Sequence, residues 1–168
     1  SHLKKYYPAG KNDLFSAFIL KLQESTQKFG IYSMITMHSW MFLSRYQNLR
    51  NELLKNTIIS MMHLGARAFE DLSGEVVQTT AFCICKFHVN KYVGTYERLV
   101  DFTDSDRKKM NATNLQCRYT CPQNVYDHMV DNIIAYWVNK GVREHFINTP
   151  LLGKSADCRQ GIATGDND

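Results

Sequence analysis

TIISMMHLGARAFEDLSGEVVQTTAFCICKF, residues 57–87, decides the fold. Its first eight residues, Thr57 to Leu64, form an apolar, partly β-branched run that reads as a buried strand. After Gly65 the pattern turns polar over 66–75, around Phe69 and Gly74. VVQTTAFCICKF, 76–87, then reads as a strand apolar on both faces, and a further strand fits Tyr92 to Val100. The linkers between these strands are short, so an antiparallel return is easier than another crossover.

Working outward, IYSMITM at 31–37 is a third strand-like run. Ser44 offers a cap to a helix over about 45–55, whose inner face is Tyr46, Leu49 and Leu53. Strand, helix and strand over 31–64 call for a parallel relation between the two strands and a right-handed crossover. Upstream, Asp13 can cap a helix with an apolar stripe of Leu14, Phe15, Phe18, Ile19 and Leu22, ended by Gly30. Downstream, Thr103–Ala112 reads as a short capped helix and 113–132 as irregular chain. A helix ending near Phe146 carries Val138, Val142 and Phe146 on one face, and a polar tail runs from Leu151 to Asp168. The expected class is α/β.

With 168 residues, 44% hydrophobic and 21% charged, the chain matches one globular domain and no disordered or fibrous class. Twenty Lys and Arg against 16 Asp and Glu give +4, a charge that permits a DNA partner without demanding one. No apolar run approaches the roughly 20 residues of a membrane span. The polar start SHLKKYYPAGK has no signal-like core, so a soluble, unexported, cytoplasmic chain with no membrane contact is expected.

Five cysteines, at 83, 85, 117, 121 and 158, are an odd and scattered set, which favours reduced thiols. Cys117, Cys121 and His128 suggest zinc, but only Cys158 is left as a fourth ligand, and no metal site is expected. There is no Gly-rich phosphate loop, no paired-His helix and no Ser nucleophile elbow. His38 and His63 each end a predicted strand, where sheet-based sites often lie. A lone His at such a place is more often a hydrogen-bonded structural residue.

Three stretches carry a family resemblance. KNDLFSAFILKLQESTQKFGIYSMITMHSWMF, 11–42, resembles the region just after the Asn-Pro-Pro-Tyr loop of DNA methyltransferases that act on the exocyclic amino group of adenine. HLGARAFEDLSGEVVQTTAF, 63–82, resembles their later target-base motif, and its 74–82 run is the most specific of the three. IIAYWVNKGVREHF and RQGIATGDND, 133–146 and 159–168, are similar to the junction with the DNA-recognition region in PglX-type enzymes of BREX phage-defence systems.

The resemblance implies the C-terminal half of a class I, Rossmann-like methyltransferase sheet, with the last strand, 76–87, antiparallel between 31–37 and 57–63. It assigns 1–102 to the catalytic domain, 103–150 to a linker or helical insertion, and 151–168 to the start of the target-recognition region. The family's Gly-rich cofactor loop and its Asn-Pro-Pro-Tyr loop do not occur in the sequence, so an internal piece of a larger enzyme is expected, inactive alone. Phe29-Gly30 departs from a Gly-Gly pair common in relatives, leaving Gly30 for any positive φ.

In this family a methyl group passes from S-adenosylmethionine to an adenine flipped out of double-stranded DNA. The catalytic Asn and Pro belong to the missing loop, so no catalytic residue falls within 1–168. By resemblance Asp13, Leu14, Phe15 and Phe18 line the cofactor cavity, although the same residues make an ordinary amphipathic face. The cofactor is not expected to bind the piece tightly. Phe69 is implied as the ring that stacks on the extruded base, or else anchors its turn. Arg67 is placed toward a phosphate, with Gln78 and Thr79 supporting the loop.

The alternative is a non-catalytic DNA-binding or interaction module that keeps half the methyltransferase fold. In either case the 31–37 strand has a bare apolar edge of Ile31, Met34, Ile35 and Met37, and part of the Phe15, Phe18 and Leu22 stripe loses its cover. Such an edge invites another strand, so the piece is expected to pair with itself as a dimer.

Overall fold

The computed structural model describes residues 2–69, 77–150 and 152–157. The chain divides into two units, Ser1–Trp137 and Val138–Asp168. The first opens with α1 (His2–Tyr6), a single 3-10 turn (Pro8–Gly10) and α2 (Leu14–Ser25). Strand β1 (Ile31–Met37) follows, then 3-10 turns at His38–Met41 and Ser44–Tyr46, then α3 (Gln47–Leu53). Next come β2 (Thr57–Gly65), β3 (Thr79–Cys85), β4 (Val93–Arg98), α4 (Ser105–Asn111) and β5 (Arg118–Pro122).

The sheet order is β1-β3-β2-β4-β5. Strand β3 is antiparallel to both neighbours, pairing Tyr32 with Ile84 on one side and Met61 with Phe82 on the other. Hence β1 and β2 run parallel to each other, one strand apart, as the strand–helix–strand pattern requires. Strand β4 does run opposite to β3, but it hydrogen-bonds to β2, in parallel, with Met61 beside Tyr96. The expected antiparallel return is therefore one of direction and not of pairing.

Residues 113–132 correct the expectation of irregular chain, because 118–122 form β5, antiparallel to β4 at the edge. Its alternation of Tyr119 and Cys121 inward with Arg118 and Thr120 outward is too short to register in the sequence. Pro122 closes it, as an edge strand allows.

One face of the sheet carries the core. Tyr32, Ile58, Met61, Phe82, Ile84 and Tyr96 meet Ile19 of α2, Leu49 and Leu53 of α3, and the fully buried Trp40 and Tyr46. Each large side chain so buried contributes roughly 1.5–3 kcal/mol of apolar transfer. On the other face Ser33 and Ile35 are exposed, and Ser60, Met62, Ala81 and Cys83 are half-buried.

Two local signals act differently from expectation. Asp13 sits at the N-cap position of α2 without making a side-chain cap; Ser16 Oγ instead donates to the carbonyls of Asp13 and Gly10, at 2.6 and 2.8 Å. Likewise α3 has no side-chain cap from Ser44. The second concerns the turn before β1. Helix α2 ends at Ser25, where Thr26 turns extended and its Oγ1 donates to the Leu22 carbonyl at 2.8 Å, well before Gly30.

The left-handed residue in that turn is Phe29, at φ 66°, and not Gly30. The strain is offset by its ring, 4.6 Å from that of Phe87, and by its N–H donating to the Lys86 carbonyl. Gly30 is required for space, since a Cβ there would lie 2.7 Å from Thr26 Cγ2 and 2.9 Å from the Gln27 carbonyl.

In the second unit, α5 (Lys140–Asn148) is capped by Asn139 Oδ1, which accepts from the Val142 N–H at 2.9 Å. Val138 precedes this cap and so lies outside the helix face it was expected to share. Val142 and Phe146 are exposed on α5 and line a shallow pocket with His145, Thr149, Pro150 and Leu152.

Candidate functional site

Register places the candidate residues. Thr79, the first residue of β3, pairs with Met37, the last of β1, and with Gly65, the last of β2. The segments that leave β1 and β2 and the one that enters β3 therefore meet at one end of the sheet, the carboxyl end of β1, β2 and β4. In sheets of this kind ligands bind at that end. Helix α2 runs back along β1, which brings its first residues to the same end, and Asn12 Nδ2 donates to the Arg45 carbonyl just beyond β1.

The backbone there is shaped for a close turn. A register shift between His63 and Gly65 bends the end of β2, and Gly65 adopts φ 68°. A side chain at Gly65 would lie 3.0 Å from Val100. Arg67 follows with φ 55° and is exposed. Phe69 is 44% exposed, with part of its ring open to a ligand and part covered. The target-base motif continues through 70–76, which lie outside the described residues, as does the 159–168 stretch of the third resemblance.

Gln78 is exposed, and its carbonyl accepts from the His38 N–H at 2.9 Å, closing the ladder at the sheet's end. Thr79 is buried, and its Oγ1 has no hydrogen-bond partner among the described residues. So Arg67, Phe69, Gln78 and Thr79 lie in segments that leave and enter the same end of the sheet, Thr79 buried and the other three exposed.

Helix α2 divides the four residues assigned to the cofactor. Leu14 and Phe18, one turn apart, are 56% and 54% exposed and form an apolar step on its outer face. Phe15 turns inward and packs against Tyr46, ring centroids 5.5 Å apart. It and Leu22 are half-buried, so of the stripe expected to lose its cover only Phe18 is exposed. The Asp13 carboxylate accepts no cap bond.

His38 and His63 are 25 residues apart in the chain, and the fold joins them. His38 Nδ1 lies 2.7 Å from His63 Nε2, and His63 Nδ1 lies 3.2 Å from the Tyr136 hydroxyl. The rings of Trp137 and Phe42 flank the pair, 6.0 Å from His63 and 4.9 Å from His38 respectively. Burial pushes His63 down to about 3, assisted by the neighbouring His38, Arg98 and Lys108. Burial also lowers His38. Both imidazoles are neutral near pH 7. The sequence places both near strand ends; His38 directly follows β1 and His63 lies two residues before the end of β2, and they meet because β3 alone separates the two strands.

Among the described residues no cluster of three or more His, Cys, Asp or Glu could hold a metal ion. Cys83, Cys85 and Cys117 are half-buried free thiols, Cys121 is buried, and Cys158 lies outside the described residues. No described helix is long and apolar enough to cross a membrane.

Three comparisons bear on this arrangement. A family model described as Eco57I restriction-modification methylase matches residues 1–69. The chain is 44% identical to an adenine-specific methyltransferase PglX of Lacticaseibacillus casei, an alignment that takes in 97% of this chain and 14% of that protein. It is 40% identical to an adenine-specific methyltransferase BrxX of Escherichia coli, over 91% of this chain and 13% of that protein. The chain thus spans about a seventh of the length of these relatives.

Among solved structures, the methyltransferase subunit of a type I restriction-modification system from Streptococcus thermophilus superposes with a TM-score of 0.55, at 15% identity, over 81% of this chain and 34% of that one. DrdV in complex with DNA gives 0.54 at 13% identity, over 83% and 15%, and the type IIG restriction endonuclease BpuSI 0.53 at 14%, over 90% and 19%. At these identities the likeness is one of fold.

Proposed function

The chain belongs to the PglX-type adenine-specific methyltransferases, and from that premise we propose that it is the part of such an enzyme that receives the target adenine. The reaction is methyl transfer to the exocyclic amino group of an adenine in double-stranded DNA, serving phage defence or restriction-modification. The observation that carries this reading is the convergence of Phe69, Arg67 and Gln78 at the carboxyl end of β1 and β2, with Phe69 exposed.

The sheet corresponds to the C-terminal half of a class I methyltransferase fold, with β3 as its reversed last strand. An adenine leaving the duplex loses its stacking neighbours, and an aromatic face replaces them at roughly 1–3 kcal/mol per base. Phe69 is the ring positioned for this. Arg67, exposed two residues before it, is assigned to a phosphate of the flipped nucleotide, and Gln78 and Thr79 are assigned to the far end of the same loop.

S-adenosylmethionine supplies an electrophilic methyl group on a sulfonium. The residues on α2 fit one wall of its site. Leu14 and Phe18 offer an exposed apolar step to an aromatic ring, and the Asp13 carboxylate, not used as a cap, is available to hydroxyl groups. Phe15 holds the helix to Tyr46 behind them. The Gly-rich and Asn-Pro-Pro-Tyr loops do not occur in the 168 residues, and the expectation is that the chain alone neither transfers methyl groups nor binds the cofactor tightly.

The test is to incubate the full-length enzyme with DNA and labelled S-adenosylmethionine and digest the DNA to nucleosides. Label in methylated deoxyadenosine is expected. Label only in deoxycytidine, or none in DNA, would remove the reading.

A further inference from the structure

The hydrogen-bonded row at the sheet's end has a direction. Arg98, paired in register with His63, lies against Tyr136, with its guanidinium near the Tyr136 hydroxyl and 5.6 Å from the ring of Trp137. Arg98 can only donate, so it takes a lone pair of the Tyr136 oxygen, and the hydroxyl proton finds an acceptor in the row when it turns toward His63 Nδ1. His63 then carries its single proton on Nε2 and donates it to His38 Nδ1. With Nδ1 accepting, the neutral His38 must carry its own proton on Nε2. That N–H is the outer end of the row, and it meets no acceptor among the described residues.

The row is fixed in place. His63 and Tyr136 are buried, and Phe42 meets the His38 ring edge-on at 79°. Two further hydroxyls at the same end, Ser39 Oγ and Thr79 Oγ1, are buried without partners. Unused hydrogen-bonding groups at one end of the sheet fit a polar, planar ligand better than a structural role alone.

Resting on the proposed adenine reaction, we propose that His38 donates its Nε2–H to a ring nitrogen of the extruded adenine, with His63 and Tyr136 as positioning residues that fix the tautomer. The contact is that of a donor and not of a base. A pair flanked by Arg98 and Lys108 resists taking up a proton, so it does not accept the one released from the amino group. Adenine has acceptors at N1, N3 and N7, whereas a pyrimidine presents a different set, so the contact favours adenine over flipped pyrimidines, and over guanine as well if the acceptor is N1.

The experiment uses the full-length enzyme and duplexes in which the target adenine is replaced in turn by 1-, 3- or 7-deazaadenine, each lacking one ring acceptor. In the wild type, one of the three should lower kcat/KM by about 10- to 100-fold, the usual effect of leaving a buried donor unpaired. His38→Ala should lose a similar factor on adenine and then lose nothing further on that analogue. His38→Gln, whose amide also donates, should recover much of the activity and keep the analogue's effect. Tyr136→Phe should lose a smaller factor, about three- to tenfold, with unchanged affinity for S-adenosylmethionine.

If His38→Ala matches the wild type, or if its loss multiplies with that of every analogue, the inference is wrong. If His38→Ala does not fold, His38→Gln decides, since its loss of all analogue discrimination would equally overturn the contact. A wild type that methylates no adenine removes the proposed reaction and the contact together. A wild type active on adenine but indifferent to all three deletions removes the contact alone.

Discussion

Arg50 Nη1 donates to the Trp40 carbonyl at 2.7 Å, across a core in which both side chains are fully buried. The same nitrogen reaches the Leu43 carbonyl at 2.9 Å, and Nε reaches the Asp131 carbonyl at 2.9 Å. A guanidinium with no carboxylate bonded to it among the described residues thus ties the turn after β1 to residue 131, and through that turn it fixes where His38 stands. Arg50→Ala should destabilise the protein by about 3–5 kcal/mol, because three carbonyls lose their donor inside the core. Urea unfolding followed by circular dichroism measures it. Arg50→Lys should recover only part, since a single ammonium cannot span the three oxygens.

Gln123 plays the same part for β2. Its Oε1 accepts from the Ile58 N–H at 2.9 Å, and its Nε2 donates to the Leu54 and Asn56 carbonyls. Gln123→Ala should cost about 2–4 kcal/mol in the same unfolding experiment, whereas substitution of the exposed Gln78 should cost under about 0.5 kcal/mol.

Stability should fall in acid before the carboxylates titrate. His63 has its native pKa pushed down to about 3, against 6.5 in the unfolded chain. Between those values the unfolded chain binds the extra proton, so stability is full above about pH 6.5 and declines as pH falls toward 3. From pH 7 to pH 5 the loss should be about 2 kcal/mol. His63→Gln should flatten that slope in denaturant midpoints taken across the window.

The 168-residue chain should self-associate. Strand β1 is the edge of the sheet, with Ile31 61% and Ile35 53% exposed. Paired edges or packed open faces would form a two-fold dimer. Light scattering after size exclusion at micromolar concentration should give twice the chain mass, and Ile35→Lys should return it to the monomer. A folded wild-type monomer would mean that the edge is protected.

Strands β1, β2 and β3 were legible because their runs are apolar and β-branched, and the family resemblance supplied the order that periodicity alone leaves open. What escaped the sequence is polar or conformational. Arg50 and Gln123 are residue types usually found at the surface, so nothing in their neighbourhood marks them as buried. Strand β5 contains Arg118 and Pro122 in five residues and reads as loop. The left-handed Phe29 was illegible because the adjacent Gly30 is the residue that such a turn normally uses. At the site, the exposed step of Leu14 and Phe18 and the inward turn of Phe15 follow from helical spacing once the core side is known. The contact of His38 with His63 needed the sheet order first.

The central claim is that Phe69 receives the flipped adenine, and one comparison tests it most directly. In the full-length enzyme, Phe69→Ala should lower turnover on DNA about 10- to 100-fold, the kinetic equivalent of losing one base–aromatic stack. Its affinity for S-adenosylmethionine should stay within about twofold of the wild type, and its unfolding midpoint should not move, because an exposed ring supports no core. Wild-type turnover in a folded Phe69→Ala enzyme would contradict the account.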